Sequence, residues 1–215
     1  MKNFNVPEDK IVILPPPVIG IEIPRIKTQN ENEFVFGVSA VGFVRKGGYI
    51  LLKALKLLKK SHKNFKVIII YPKSEKNLYL QFLLKLYGIK NNVEFLPLQT
   101  NINKFYSKIN CLILTSLVEP YGMVTTEALT AKIPVIVANH CGSSDAVING
   151  ENGYTFDFSK KPALELSKAM KKMIELDKET YEKMSEQAYL SARDFLSENF
   201  LEKYFNITEK TLHKN

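Results

Sequence analysis

The sequence predicts a single α/β domain: a doubly wound, Rossmann-like parallel sheet with helices on both faces and a helical C-terminal tail. Three observations carry that expectation. From residue 34 onward, apolar runs of strand length alternate with helical patterns, an order that implies parallel strands joined by helical crossovers. The strand runs are apolar at consecutive positions, as in FKVIIIY and PVIVA, the pattern of strands covered on both faces. The chain has 215 residues, enough for one well-filled core and too few for two ordinary domains of this kind.

The expected domain spans residues 34–215, preceded over residues 1–33 by a linker and a short strand. In that linker, IVIL at 11–14 has strand character and is stopped by Pro15-Pro16-Pro17, which cannot continue a ladder. A polar stretch, 27–33, leads into the strand 34–38. After Lys46-Gly47-Gly48, positions Leu51, Ala54, Leu55 and Leu58 recur at i, i+3, i+4 and i+7, one buried helix face. Residues 65–71 form an apolar strand ended by Pro72, 78–87 a helix, 93–96 a strand, 101–108 a short helix and 111–115 a strand. A helix is expected at 125–131, a strand at 134–138 and a short final strand at 153–156. From Pro162 the chain reads as helix, with breaks near Asp177 and Ser197.

Composition narrows the class. At 45% hydrophobic and 24% charged residues, the chain is globular rather than disordered. No apolar run approaches the roughly 20 residues of a membrane span. The opening MKNFNVPEDK lacks the apolar core of a secretory signal, so a cytoplasmic location is expected. Cys111 and Cys141 have neither metal-ligand nor disulfide-framework spacing and read as reduced thiols in or near the core; no metal is expected. The net charge of +8 comes largely from lysines strewn along helices, such as Lys53, Lys56, Lys59, Lys168, Lys171 and Lys172, which read mostly as solvated faces. A basic surface also suits anionic lipid headgroups, phosphorylated ligands or nucleic acid. No zinc finger or RNP aromatic pair accompanies the charge, so nucleic acid is not the expected partner.

Ligands of open α/β sheets bind beyond the carboxyl ends of the strands, which directs attention to three loops. In the first, residues 39–48, Arg45 and Lys46 stand beside Gly47-Gly48 where a helix opens. Free amides and positive charge there suit a diphosphate. Taken alone, the loop reads as readily as a glycine-containing turn with two surface bases, and its order is not that of a P-loop. The second is Glu119-Pro-Tyr-Gly-Met-Val-Thr-Thr-Glu127. Pro120 and Gly122 mark a turn into a helix, with Glu119 before it and Glu127 about 6–8 Å along its axis. Two carboxylates on either side of an anion-binding helix end suit a diphosphate flanked by hydroxyls. An isolated pair would be more simply a helix-surface charge and one favoured by the helix dipole. In the third, His140-Cys-Gly-Ser-Ser-Asp145, small residues allow close backbone approach and Ser143 and Ser144 are expected to cap the next helix. His140 reads as a satisfied loop histidine; no G-x-S-x-G elbow supports a serine hydrolase.

Together these segments resemble the C-terminal domain of glycosyltransferase family 4, the group 1 glycosyltransferases of GT-B fold. The matching stretches, in order, are RKGG (45–48), NVEFLPL (92–98), EPYGMVTTEAL (119–129), IPVIVANHCGSSDAVINGENGYTF (133–156) and the helical tail. The opening VPEDKIVILPPPV resembles the strand that enters this domain. The resemblance implies a nucleoside-diphosphate-sugar donor, transfer with retention of configuration, and no cofactor or bound metal. It assigns Glu119 to the donor sugar, Glu127 to the nucleotide ribose, the amides around Gly122, Met123 and Val124 to sugar and phosphate, Arg45 and Lys46 to the leaving diphosphate, and the Leu98 backbone to the base.

Two departures from the family pattern stand out. The family's Val-Gly-Arg after the first strand reads Val38-Ser39-Ala40 here, so one positive contact is lost or moved to Arg45. These residues also hold no counterpart of the family's N-terminal Rossmann domain, which shapes the acceptor site. A separate N-terminal half, or a homo-oligomer, is therefore the expected partner. Peripheral contact with an anionic membrane is a further expectation from the basic charge and the family analogy. The alternative reading is a non-catalytic nucleotide-sugar-binding or regulatory module.

Overall fold

The structure, a computed structural model, describes residues 33–71, 77–98 and 100–212 together with Ile11, Leu14 and 16–19. Six strands form one parallel sheet: β1 (Phe34–Ser39), β2 (Phe65–Ile70), β3 (Val93–Leu96), β4 (Cys111–Leu114), β5 (Val135–Ala138) and β6 (Gly153–Phe156). Their order is β3-β2-β1-β4-β5-β6, and every pair is parallel. The expected architecture is therefore the one observed.

Each strand begins and ends where its chemistry changes. Pro134 accepts from Leu112 N at 3.0 Å but has no N–H to give, so β5 starts one residue later than its apolar run. Helix α1 (Gly48–Leu58) buries Leu51, Leu52, Ala54, Leu55 and Leu58, the face marked by the i, i+3, i+4 repeat. Helix α2 (Leu78–Leu86) is capped by Asn77, whose side chain accepts from Leu80 N. Helix α3 (Asn103–Tyr106) is shorter than the stretch 101–108 suggests: Asn101 Oδ1 accepts from Asn103 N at 3.0 Å, a local turn that competes with the helix. Helix α4 (Met123–Thr130) follows β4.

Right-handed crossovers fix the layers. The chain moves from β1 to β2 in one direction along the sheet and from β4 to β5 in the other, so α1 and α4 cover opposite faces. Helix α5 (Pro162–Ile174) packs on α1, and α6 (Lys178–Ala192) on α4. The break expected near Asp177 is the N-cap of α6, where Asp177 Oδ1 accepts from Thr180 N at 2.7 Å. The break before α7 (Ser197–Leu212) is held by an isolated parallel bridge between Leu196 and Val18, which ties the entering segment to the tail. The strand expected at 11–14 lies largely outside the described residues, of which Ile11 and Leu14 are in no strand. Among the described residues, no helix is long and apolar enough to cross a membrane.

Several buried polar side chains tie the layers together, while Asn92 Oδ1, Asn110 Nδ2 and the Tyr121 hydroxyl are buried without a hydrogen-bond partner among the described residues. Asn110 Oδ1 accepts from Val35 N at 2.9 Å, and Tyr181 on α6 donates to Asn110 O at 2.9 Å. Fully buried Asn152 accepts from Ile148 N at 2.8 Å and donates to Ala146 O and Ser191 Oγ at 2.9 and 2.8 Å, pinning the turn before β6 to α6. Asn152→Ala strands the Ile148 amide. It is expected to cost about 2–3 kcal/mol and to lower Tm by roughly 4–12 °C in a chain of this size, read by thermal unfolding. An unchanged Tm would remove Asn152 from this role.

Candidate active site at the switch point of the sheet

Strands β1 and β4 are neighbours, yet their crossovers leave in opposite directions. This pair is therefore the switch point of the sheet, the position beyond whose strand ends open α/β sheets take ligands. The β1 loop folds back on itself, with Lys46 N bonded to Gly42 O at 3.0 Å, Gly47 N to Val44 O at 2.9 Å and Gly48 N to Phe43 O at 2.8 Å. It is then clasped by the β4 loop: Thr115 Oγ1 donates to Lys46 O at 2.8 Å, and Leu117 N to Arg45 O at 2.8 Å.

That clasp requires a glycine. Gly47 has φ 70°, and a Cβ there would lie 1.9 Å from the carbonyl oxygen of Thr115. The close approach brings Lys46 Nζ into an ion pair with Glu119 Oε2, across 73 residues of sequence. Their side chains are 18% and 12% exposed, so the pair is screened less than a surface pair would be. Ser116 Oγ donates to the same carboxylate oxygen at 3.1 Å. Arg45 is exposed.

Gly122, at φ 99°, forms the N-cap of α4 with no side-chain hydrogen bond to it. The amides of the first turn are thus directed out of the helix end with their partial positive charge. A Cβ on Gly122 would meet Leu114 Cδ2 at 2.6 Å and Glu119 Cγ at 3.2 Å, so this start of the helix lies close beside Glu119. Met123 is exposed and Val124 partly buried. One turn in, the half-buried Glu127 accepts from Tyr106 at 2.7 Å through Oε2. Leu98 follows β3, two strands from β1 in the sheet, and its side chain is exposed.

The third loop supports the second. A Cβ on Gly142 would lie 2.1 Å from Pro120 O, and Ser143 N donates to Tyr121 O at 2.8 Å. Ser143 and Ser144 do not act as the expected caps: the short 3-10 turn Gly142–Ala146 starts from Cys141 without a side-chain cap. Ser143 Oγ instead donates to Thr125 Oγ1 at 2.9 Å, because the tight contact with 120–121 turns it inward, and Ser144 Oγ donates to Asn139 O of its own loop at 3.1 Å. His140 Nε2 lies 3.2 Å from Leu117 O and its ring 4.3 Å from that of Phe158. Burial pushes the Cys141 thiol up to about 11; the charge of Glu119 adds to the rise and that of Lys46 opposes it. Among the described residues, no three His, Cys, Asp or Glu side chains cluster as a metal site.

Two groups in this site were not singled out from the sequence. Ser116 looks like any strand-end serine, and Tyr106 like a core aromatic in a short helix; only the fold sets each against a carboxylate.

A Rossmann-like sheet with paired charges at its switch point defines the class of protein, and comparison with known proteins gives the family. The chain belongs to the glycosyl transferases group 1, whose family model matches residues 21–191. It is 26% identical over 165 residues to an uncharacterized glycosyltransferase of Methanocaldococcus jannaschii, covering 70% of this chain and 42% of that one. It is 25% identical over 219 positions to a probable sucrose-phosphate synthase of Thermosipho melanesiensis, covering 94% and 48%. Its fold is shared with a glycosyltransferase from Rickettsia africae (TM-score 0.79, 18% identity, 98% of this chain and 59% of that one). It is shared too with Anabaena HepE in complex with UDP and glucose (TM-score 0.69, 23% identity, 84% and 48%). The chain spans about half the length, or less, of the curated relatives it matches.

Gly47→Ala is expected to destabilise by at least about 2 kcal/mol, since strain and collision add. Gly88→Ala has a similar φ of 68° with nothing within 4 Å of the added carbon, and should cost only about 1 kcal/mol. Equal losses in denaturant titrations would deny the close approach its importance.

The raised Cys141 pKa has a signed consequence. The folded state holds the proton more tightly, so this stability is complete below about pH 9 and is lost as pH rises through about 11. Between about pH 8 and about pH 10.5, Cys141→Ala should therefore lose less stability than the wild type in urea titrations; an identical loss would contradict the assignment.

Proposed function

We propose that this chain is the donor-binding, C-terminal half of a family 4 glycosyltransferase of GT-B fold, which binds a nucleoside-diphosphate-sugar and transfers the sugar with retention of configuration. The observation that carries the reading is the Lys46–Glu119 ion pair formed across the β1 and β4 loops, beside the uncapped start of α4. Family membership supports the reaction class.

In this reading Lys46 exchanges its carboxylate partner for the donor's diphosphate, and the exposed Arg45 adds a second positive charge. The amides around Gly122, Met123 and Val124 complete the anion site at the helix end. Glu119, freed from Lys46, accepts from hydroxyls of the donor sugar, Glu127 from the ribose, and the backbone at Leu98 holds the base. In the transfer, the bond from the anomeric carbon to the diphosphate breaks and its electron pair leaves with the diphosphate. The acceptor oxygen bonds to that carbon and gives up its proton to an oxygen of the departing diphosphate. The main electrostatic demand is charge on the departing diphosphate, which Lys46 and Arg45 meet without calling on a metal or cofactor.

Val44, Leu117, Val118 and Met123 are 59%, 40%, 65% and 44% exposed on the loops and helix start that hold the charged pair. An apolar rim around a charged centre suits a second surface closing over it, supplied by an N-terminal half on the same or another polypeptide or by a second copy. The net charge of +8 supports peripheral contact with an anionic membrane from a cytoplasmic location. A second reading, nucleotide-sugar binding without turnover, is favoured by Val38-Ser39-Ala40, which lacks the arginine expected after β1.

A thermal-shift series with UDP-, GDP- and ADP-sugars tests the donor site. At a hundredfold excess over Kd, one donor should add about 2.7 kcal/mol, a Tm rise of roughly 5–11 °C. Lys46→Ala and Glu127→Ala should remove most of it. If no donor shifts the wild type, the reading fails.

A further inference from the structure

Glu119 and Glu127 are held in different ways. Glu119 sits in an ion pair that a ligand can exchange, whereas Glu127 is bound from beneath by a neutral, buried phenol. Tyr106 is 1% exposed, and its hydroxyl donates to Glu127 Oε2 at 2.7 Å. The other acceptor near it, Val124 O, is 3.4 Å away, so the single phenolic proton goes to the carboxylate. Burial first, and then the charge and hydrogen bond of Glu127, raise the Tyr106 pKa well above the ordinary tyrosine value; it therefore stays a donor.

The fold gives Tyr106 little freedom. At Gly37, in the middle of β1, an added Cβ would lie 2.4 Å from Ile109 Cδ1 and 2.7 Å from Phe105 Cζ. The missing side chain lets the segment from α3 to β4 lie directly on the strand. Phe105 and Tyr106 meet edge to face with ring centroids 5.4 Å apart, which fixes the phenol against α4. A carboxylate has two oxygens with about four lone-pair sites. Tying Oε2 to a rigid donor stops rotation of the group and leaves Oε1, with the second lone pair of Oε2, as its free edge.

We propose that Tyr106 is a positioning residue for the nucleotide ribose: by holding Oε2 of Glu127, it presents the carboxylate edge to the 2′- and 3′-hydroxyls and makes the site select ribonucleotides over 2′-deoxyribonucleotides. The inference rests on the donor-site reading above and adds to it a named source of sugar selectivity.

The test is titration calorimetry of the full chain with UDP, GDP and ADP and with their 2′-deoxy forms. The wild type should prefer the ribose form of whichever nucleotide it binds by about 10–100-fold, as expected for charge-assisted hydrogen bonds. Tyr106→Phe, which keeps the buried ring, should cut that preference to about threefold or less. Glu127→Ala and the double variant should share the same small preference, because Tyr106 acts only through Glu127. A purely structural tyrosine would lower Tm without moving the ribose-to-deoxyribose ratio. If Tyr106→Phe keeps the wild-type ratio, the positioning role is overturned and the donor site stands. A wild type that binds a nucleotide and its 2′-deoxy form equally overturns the proposal with no variant needed. A wild type that binds none of the three removes the donor-site reading, and this proposal with it.

Discussion

The close passage of the Gly47 backbone beneath the Thr115 carbonyl is the contact on which the site depends. Neighbouring parallel strands whose helices leave on opposite faces would otherwise splay their loops apart. Here the Thr115 hydroxyl and the Leu117 amide each bond a carbonyl of the β1 loop, and the two loops become one rigid rim. Lys46 and Glu119 are paired because the backbones that carry them are already fastened. The ion pair is thus a consequence of the clasp rather than its cause.

The same device recurs one layer out. Gly122 and Gly142 each occupy places where a side chain would strike Leu114 or the Pro120 carbonyl. Absent side chains let the 120–122 turn sit between β4 and the 142–146 turn, so α4 begins beside Glu119 at the switch point. A helix start placed by backbone contacts is preorganised: its amides need no rearrangement to meet an anion, the condition under which electrostatic stabilisation is most effective.

The two carboxylates are held in different ways. Glu119 is bound by a lysine and a serine hydroxyl carried on the two clasped loops. Glu127 is bound by the buried Tyr106 of the core. On the proposed donor-site reading, the Glu119 end is the one a ligand would rearrange, and the exposed apolar side chains beside it are where a covering surface would sit.

The sequence by itself determined the layers and their limits. Consecutive apolar residues marked the strands from Phe34 to Phe156, the i, i+3, i+4 repeat marked α1, and Asp177 and Pro162 marked the helix starts, because each signal is written within one or two turns of chain. The Glu119–Glu127 spacing was legible for the same reason, since both flank one turn and one helix. Strand order was not written locally: burial patterns tell which residues are covered, not which strand lies alongside. Only the tertiary structure set β1 beside β4, joined Lys46 to Glu119 across 73 residues, placed Tyr106 under Glu127 and turned Ser143 inward from its expected cap. These pairings arise where segments distant in the chain are brought within hydrogen-bonding distance by the sheet, and no periodicity along the sequence records that.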